Sequence, residues 1–254
     1  MSTKVLFVTG AGSGMGLLSA KRALAEGWAV AAMDINASGL DQLGNDSPRL
    51  LKLVVDITNA EAVAAAVAHC EQELGPISRL SNAAAIMPLG RLIEQPQALI
   101  NKIMAINYGG FVNVTKAVLP LMIARGQGEV ISFASLAGHW PVLYMGAYNA
   151  SKFAVSAFTE VLYQETRNTG VRVVCVCPPM VATPLLEQAK ATVWPKIFNV
   201  LPAISAESVL DKIEQVLRGK ALWVFPGPVT ALAWRLRRWL PRTIWWAVRK
   251  IEGQ

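Results

Sequence analysis

The stretch Val5-Leu6-Phe7-Val8-Thr9-Gly10-Ala11-Gly12-Ser13-Gly14-Met15-Gly16 decides the fold that we expect for this chain. Its first half is an apolar run typical of a buried strand, and a helical pattern begins at the last glycines. A glycine-rich turn between a strand and a helix lets the backbone approach a pyrophosphate and points free helix N–H groups at it. The residues of the expected phosphate site are Gly10, Ser13, Gly14, Met15 and Gly16.

Short apolar runs alternate with helix-like segments along most of the 254 residues. Each run is almost continuously apolar, which is typical of strands covered on both faces. Alternation of strands and helices predicts an α/β fold with a doubly wound parallel sheet. The predicted strands are Val5–Thr9, Ala29–Asp34, Leu50–Asp56, Ile77–Asn82, Val130–Ser135, Val171–Cys177 and Leu222–Phe225.

An acidic residue, Asp34, ends the second predicted strand, 18 residues beyond Gly16. A carboxylate at this place can accept hydrogen bonds from the adenosine ribose hydroxyls, and it repels a 2′-phosphate. The glycine turn contains no Lys or Arg that could pair with such a phosphate. These features favour NAD over NADP as the cofactor.

A second pattern, Ser135 followed by Tyr148-Asn-Ala-Ser-Lys152, points to proton-transfer chemistry. Tyr148 and Lys152 are four residues apart at the start of a helical pattern, so both project from one face. We expect the Lys152 ammonium to lower the pKa of Tyr148, so that the phenol can act as a base near neutral pH. Ser135 ends the fifth predicted strand, where it can hydrogen-bond the reacting oxygen.

With these motifs the chain resembles the short-chain dehydrogenase/reductase family over residues 4–225. The matching positions are Thr9-Gly10-x-x-x-Gly14-x-Gly16, Asp56, Asn82, Asn107, Ser135 and Tyr148-x-x-x-Lys152. The resemblance implies a three-layer Rossmann fold whose seven-stranded sheet has the order 3-2-1-4-5-6-7. Two motifs depart from the family's pattern. The usual Asn-Asn-Ala-Gly is Ser81-Asn82-Ala83-Ala84 here, and the usual Pro-Gly is Pro178-Pro179.

The resemblance also implies roles for single residues. Tyr148 would be the general acid/base, Ser135 would donate to the substrate oxygen, and Lys152 would bind the nicotinamide ribose and tune Tyr148. Asn107 would hold a water that relays protons to Lys152. Besides Tyr148 and Lys152, the implied cofactor contacts are Asp56 and Ile57 at the adenine, Thr183 at the nicotinamide carboxamide, and Asn82, Ala83, Ala84, Pro178 and Val181.

Two glycines, Gly109 and Gly110, follow Asn107 inside an otherwise helical stretch. Glycine costs ~1 kcal/mol relative to alanine in a helix interior. The pair predicts a kink that frees a backbone carbonyl to bind water, or close packing against a neighbouring element, and both can hold.

The net charge of +7 comes from the C-terminus. Residues 1–217 contain as many acidic as basic residues, whereas residues 218–254 contain eight basic residues, one acidic residue and five of the eight tryptophans. We therefore expect a catalytic domain at 1–227 and a basic helical extension at 228–254. Composition does not favour disorder, and no nucleic-acid-binding fold, metal-ligand spacing, signal peptide or membrane span is predicted.

Two amphipathic helices are predicted in this extension. The first has an apolar side and a basic side, namely Val229, Leu232, Ala233, Leu236, Trp239 and Leu240 opposite Arg235, Arg237 and Arg238 with Trp234. The second opposes Ile244, Ala247, Val248 and Ile251 to Arg242, Arg249 and Lys250. Amphipathic helices of this kind are typical of proteins that bind an anionic membrane surface. Packing on a partner subunit or over the active site is the alternative.

The residues around Tyr148 are mostly apolar, and two interpretations of them stay open. They can bind a lipophilic alcohol or ketone as substrate, or they can serve only to pack a lid on the body. They are Leu136, Trp140, Val142, Leu143 and Met145, together with a lid implied by the resemblance at Pro184–Leu186 and Trp194–Pro202. Three cysteines, Cys70, Cys175 and Cys177, are expected to be buried reduced thiols, which predicts a cytoplasmic protein. The amphipathic extension separately predicts peripheral association with a membrane.

We therefore expect an NAD-dependent oxidoreductase that interconverts an alcohol and a carbonyl. The alternatives are an NADPH-dependent acyl-thioester carbonyl reductase and a non-catalytic dinucleotide-binding scaffold or redox sensor. A homodimer or homotetramer is expected from the family. It is also expected from the apolar surplus on the helices around Tyr148, namely Phe153, Phe158, Val161 and Leu162.

Overall fold

The computed structural model of the chain describes residues 3–44, 47–200, 202–228 and 230–253. Two residues of segments singled out from the sequence, Leu201 in the lid and Val229 on the apolar face of the extension, lie outside the described residues.

Seven parallel strands form one sheet in the order β3-β2-β1-β4-β5-β6-β7. The α/β fold and the predicted strand order are confirmed. The strands are β1 (Val5–Thr9), β2 (Ala29–Asp34), β3 (Leu50–Val54), β4 (Ile77–Asn82), β5 (Gly128–Phe133), β6 (Val171–Val176) and β7 (Trp223–Val224). β3 and β5 end two residues earlier than predicted, because Asp56 and Ser135 begin turns there.

Helices cover both faces of the sheet and complete a three-layer fold. They are α1 (Gly14–Ala25), α2 (Ala37–Leu40), α3 (Ala60–Glu73), α4 (Gln97–Met104), α5 (Phe111–Arg125), α6 (Gly146–Glu165), α7 (Pro184–Lys190), α8 (Ala206–Leu217), α9 (Thr230–Trp239) and α10 (Pro241–Glu252). Val63 of α3 and Val118 of α5 pack with Phe7 on one face. Val8 of the same strand packs on the other face against Ala20 of α1.

The order of the strands reverses at β1, which lies between β2 and β4. Thr9 at the end of β1 is level with Met33 on one side and with Asn82 on the other. In an open α/β sheet, ligands bind in the crevice outside the carboxyl ends of the strands at such a reversal. The glycine turn after β1, the end of β4 and the end of β5 therefore share one cleft.

The apolar surplus expected on α6 is smaller than the sequence predicts. Phe158 and Leu162 pack in the core, whereas Phe153 and Val161 are exposed. The homo-oligomer stays a prediction.

Candidate active site

The glycine turn leaves the start of α1 able to bind an anion. Ser13 precedes the helix in extended backbone, its side chain makes no capping hydrogen bond, and the first turn carries no acidic residue. Gly14 has a φ of +51°, which favours glycine. A Cβ on Gly16 would overlap the carbonyl of Gly10. The first N–H groups of α1 thus suit a pyrophosphate, which needs donors and no negative charge beside it.

The Asp34 carboxylate is anchored to the glycine turn. Its Oδ2 accepts a 2.8 Å hydrogen bond from the N–H of Gly12, and its Oδ1 accepts a 2.9 Å hydrogen bond from the N–H of Asn36. Because each carboxylate oxygen can accept a second hydrogen bond, acceptor capacity remains for ribose hydroxyls. No Lys or Arg occurs in residues 9–16 or 34–39.

Asn82, at the end of β4, turns its side chain into the protein. Its Oδ1 accepts from the Thr9 hydroxyl at 3.0 Å, and its Nδ2 donates to the carbonyl of Phe111 at 3.0 Å. The Thr9 oxygen in turn accepts from the N–H groups of Ala83 and Ala84, at 3.0 and 3.2 Å. Thr9, absent from the predicted site, therefore holds this wall of the cleft. The cofactor contacts implied for Asn82, Ala83 and Ala84 stay predictions.

The residues predicted at the adenine follow β3. Asp56 is exposed, and its Oδ1 accepts from the N–H and the hydroxyl of Thr58, both at 2.8 Å. The Ile57 side chain is buried in the core, and its carbonyl accepts from Asn113 at 3.0 Å. This arrangement turns the side chain of Ile57 away from a ligand, so an adenine contact there would fall to its backbone.

The loop after β6 forms the opposite side of the cleft. The carbonyl of Pro178 accepts a 2.8 Å hydrogen bond from the N–H of Leu136, and Val181 forms an isolated parallel bridge with Ile204. A Cβ on Gly14 would lie 3.5 Å from the Cβ of Thr183, so Thr183 lies against the glycine turn. The structure thus places Thr183 beside the expected phosphate site, and its contact with the nicotinamide carboxamide stays a prediction.

Three polar side chains meet at the carboxyl end of β5. Ser135 accepts a 3.1 Å hydrogen bond from the N–H of Ala137 and makes a side-chain hydrogen bond with Tyr148. The Lys152 Nζ lies 5.7 Å from the centroid of the Tyr148 ring and donates to the carbonyl of Phe133 at 2.8 Å. Both side chains are buried. The pattern Ser135, Tyr148 and Lys152 forms one cluster, as predicted.

Burial dominates the protonation of this cluster. It raises the pKa of Tyr148 to about 12, against a lowering by the hydrogen bond with Ser135. It lowers the pKa of Lys152 to about 8, while Cys175 and Cys177 raise that pKa. The sequence predicts a lowered pKa for Tyr148. This prediction is wrong in the structure, because burial removes the solvent that would stabilise the phenolate. Tyr148 is therefore held as a phenol, ready to donate a proton.

Asn107 lies in a π turn, Ala105–Gly110, between α4 and α5. Its Oδ1 accepts from the N–H of Ile86 at 2.9 Å, and its Nδ2 donates to the Ser151 hydroxyl at 3.0 Å. A Cβ on Gly110 would overlap the side chain of Ile57. The predicted irregularity and the predicted close packing both occur. Asn107 ties the loop after β4 to α6, and Ser151 is a partner that the sequence did not reveal.

An apolar cluster surrounds Tyr148. Its other buried members are Met87, Leu89, Ala137, Met145, Leu186 and Ala189, with Val142, Met180, Leu185, Trp194 and Phe198 packed against them. The Gln188 Oε1 accepts from the N–H of Met87 at 2.8 Å, and the Thr192 hydroxyl accepts from the N–H of Leu89 at 3.2 Å. The segment predicted as a lid, which runs from residue 184 to residue 202, therefore packs on the loop after β4 and beside Tyr148 through its described residues.

His139 lies behind the catalytic cluster in an aromatic setting. Its Nε2 is 3.4 Å from the Sγ of Cys177, and its ring packs edge-on against Trp223 with centroids 5.0 Å apart. Burial lowers the pKa of His139 to about 4, so the imidazole is neutral at ordinary pH. These contacts give His139 a structural role.

Comparison with known proteins agrees with this geometry. A family model described as short chain dehydrogenase matches residues 4–194. The chain belongs to the short-chain dehydrogenase family. It is 34% identical to 2-(R)-hydroxypropyl-CoM dehydrogenase of Xanthobacter autotrophicus over 193 residues, 73% of this chain and 77% of that protein. It is 29% identical to estradiol 17-beta-dehydrogenase 11 of Rattus norvegicus over 237 residues, 90% of this chain and 77% of that protein.

Solved short-chain dehydrogenases share the fold over nearly the whole chain. One from Burkholderia phymatum in complex with NAD has a TM-score of 0.84 at 23% identity and covers 96% of this chain and 95% of its own. One from Burkholderia cenocepacia in complex with NADP has a TM-score of 0.81 at 25% identity. The match covers 97% of this chain and 98% of that protein. As a short-chain dehydrogenase the protein is an oxidoreductase.

Proposed function

We propose that this short-chain dehydrogenase uses NAD to interconvert the alcohol and carbonyl forms of a lipophilic substrate. The observation that carries the proposal is the buried cluster of Ser135, Tyr148 and Lys152 at the end of β5, bordered by apolar side chains on one side. The proton donors Tyr148 and Ser135 share a cleft with the glycine turn, where the dinucleotide would bind.

Asp34 is the reason to choose NAD. Its carboxylate is fixed on the glycine turn by the N–H of Gly12, and no cation accompanies it in residues 34–39. Ribose hydroxyls are hydrogen-bond donors that suit a carboxylate, whereas a 2′-phosphate would bring like charge to the same place. The pyrophosphate would lie at the start of α1, and Thr183 would border it.

The chain's own groups manage the proton. A bound nicotinamide dinucleotide supplies the hydride acceptor or donor. Tyr148 holds a proton at its phenol oxygen and can give it to a carbonyl oxygen, and Ser135 can hydrogen-bond the same oxygen. The buried Lys152 lies next to the phenol, and any positive charge there favours release of the proton in the oxidation direction.

The apolar cluster favours a lipophilic substrate. Met145, Leu186 and Ala189 are buried around Tyr148, and Trp194 and Phe198 of the lid segment pack against them at the edge. Such a surface excludes water from the reacting oxygen and selects apolar substrates with little discrimination among them. One of the relatives is named for a steroid alcohol, which is a substrate of this class.

The test is a screen for formation of reduced cofactor. The purified protein is given NAD or NADP with steroid, retinoid and long-chain alcohols, and with sorbitol and glycerol as polar controls. We expect turnover with NAD and the lipophilic alcohols only. A preference for NADP, or equal rates with the polar alcohols, would overturn the proposal, and tight NADH binding without any turnover would instead favour the scaffold.

A further inference from the structure

The two C-terminal helices, α9 and α10, follow one another at Pro241, and we call this helical pair (residues 230–253) the hairpin. It contacts the body through one side of α9 and through the end of α10. Thr230 is fully buried, and its hydroxyl donates to the carbonyl of Pro226. Trp234 packs on Phe225, with ring centroids 5.2 Å apart, and on His139 at 6.2 Å. The Trp234 side of α9 is therefore the side that faces the body.

The opposite side of α9 is apolar and exposed. Relative exposure is 55% for Leu232, 41% for Leu236, 79% for Trp239 and 48% for Leu240. In α10, Trp246 is exposed to 58%. We call these five exposed side chains, four on α9 and one on α10, the outer face. The predicted apolar side of α9 is thus turned away from the body. The predicted apolar side of α10 differs, because its Val248 is buried.

The exposed charged side chains of the hairpin all have the same sign. The exposed cations of the hairpin are Arg235, Arg238, Arg242, Arg249 and Lys250. Within the described part of the hairpin the one acidic side chain is Glu252, which is 8% exposed, and its Oε1 accepts from the N–H of Ile197 at 3.0 Å. No exposed carboxylate side chain of residues 230–253 offsets the cations.

We propose that the outer face binds an anionic lipid surface. Exposed tryptophan and leucine side chains, on a segment whose exposed charges are all cationic, suit the boundary between acyl chains and negatively charged headgroups. A second copy seated on the same face by two-fold symmetry would bring cations against cations, which disfavours self-association there. No helix in the described residues is long and apolar enough to span a bilayer, so binding would be peripheral.

The same hairpin contacts the lid segment at its far end. Besides the bond from Ile197, the Lys196 ammonium donates to the carbonyl of Glu252 at 3.3 Å, and Val248 is buried. Lipid binding would therefore hold the lid near the bilayer, from which a lipophilic substrate could enter. This last step rests on the proposed function, whereas binding of the outer face to lipid does not.

Vesicle co-sedimentation tests the proposal. The full-length protein is mixed with phosphatidylcholine vesicles with or without phosphatidylserine. One variant, Trp239→Ser/Trp246→Ser, removes the apolar contribution to binding. A second variant, Arg235→Glu/Arg238→Glu/Arg242→Glu, removes the cationic contribution. Deletion of the hairpin is a poorer test, because it would uncover the aromatic residues under Trp234.

We expect wild-type protein to sediment with the phosphatidylserine vesicles and to be released by salt. Loss of one lysine or arginine near a charged bilayer weakens binding about fivefold, so the triple reversal should abolish it. The tryptophan variant should weaken it by roughly tenfold or more. A matched reversal of exposed cations elsewhere, Lys21→Glu/Lys102→Glu/Arg167→Glu, should retain more binding than the hairpin reversal.

NADH binding is measured for every variant, and it should be unchanged, since none of these residues is in the cleft. The proposal is overturned if wild-type protein fails to sediment, or if the hairpin and control reversals behave alike. It is also overturned if the hairpin variants change the oligomeric state and not vesicle binding, which would make a second copy the occupant. Failure of turnover with intact vesicle binding would count against the proposed function alone.

Discussion

The ammonium of Lys152 lies 5.7 Å from the ring centroid of Tyr148, with both side chains buried at the carboxyl end of β5. Burial acts on the two groups in opposite directions, since it raises the pKa of the phenol and lowers the pKa of the ammonium. Each group is thereby pushed towards its neutral form. Carbonyl reduction can use the phenol as it stands, whereas alcohol oxidation requires it to lose its proton.

The first prediction concerns the pH dependence of alcohol oxidation. Because the pKa of Tyr148 is raised to about 12, kcat/KM for oxidation should increase from neutral to alkaline pH. Ser135 hydrogen-bonds Tyr148 and lowers that pKa, so Ser135→Ala should move the rise to higher pH as well as reduce the rate. Ser135→Thr, which keeps the hydroxyl, is the matched control. Identical profiles for the alanine variant and the wild type would contradict this role.

A second prediction concerns the choice of dinucleotide. Asp34→Asn removes the negative charge while keeping an oxygen that can accept from Gly12. It should raise kcat/KM for NADP relative to NAD by roughly tenfold or more, because repulsion of the 2′-phosphate is lost. Asp41→Asn removes an exposed carboxylate paired with Lys52 and should leave the ratio unchanged. Steady-state kinetics with both dinucleotides would show whether the two variants differ.

His139 makes the fold sensitive to acid. Its pKa is lowered from 6.5 to about 4, so the unfolded chain binds a proton more readily than the folded chain between these values. Stability is therefore lost as pH falls from 6.5 towards 4, and Tm should decrease there. His139→Phe keeps an aromatic ring against Trp223 and should show a shallower decrease, while a variant of the exposed His69, His69→Gln, should follow the wild type. If the Tm of His139→Phe fell with pH as steeply as that of the wild type, His139 would not be the source of the acid sensitivity.

Glu252 is a positioning residue for the lid segment, because its carboxylate accepts from the N–H of Ile197. Glu252→Ala should raise KM for lipophilic substrates about two- to tenfold, the effect of one lost hydrogen bond, with little change in NADH affinity. Glu252→Gln keeps the accepting oxygen and should restore KM. Equal KM values for alanine, glutamine and wild type would show that the contact does not position the lid.

The architecture can be predicted from the sequence because buried parallel strands are almost continuously apolar, and because glycines mark the turn after β1. Asn107 with Gly109 and Gly110 likewise announces an irregular helix, found as a π turn. The direction of the Tyr148 pKa could not be predicted, since it depends on the depth of burial and not on the spacing to Lys152. The role of Thr9 could not be predicted for a similar reason, because its side-chain hydrogen bond joins residues 73 positions apart.

The most direct test of the central claim is the turnover of Tyr148→Phe compared with its NADH binding. The phenyl ring keeps the packing in the apolar cluster and removes only the oxygen that carries the proton. We predict that kcat falls by at least about a hundredfold, the usual worth of a general acid/base, with the NADH Kd unchanged. Retained turnover in this variant would contradict the assignment of Tyr148 as the proton-transfer group.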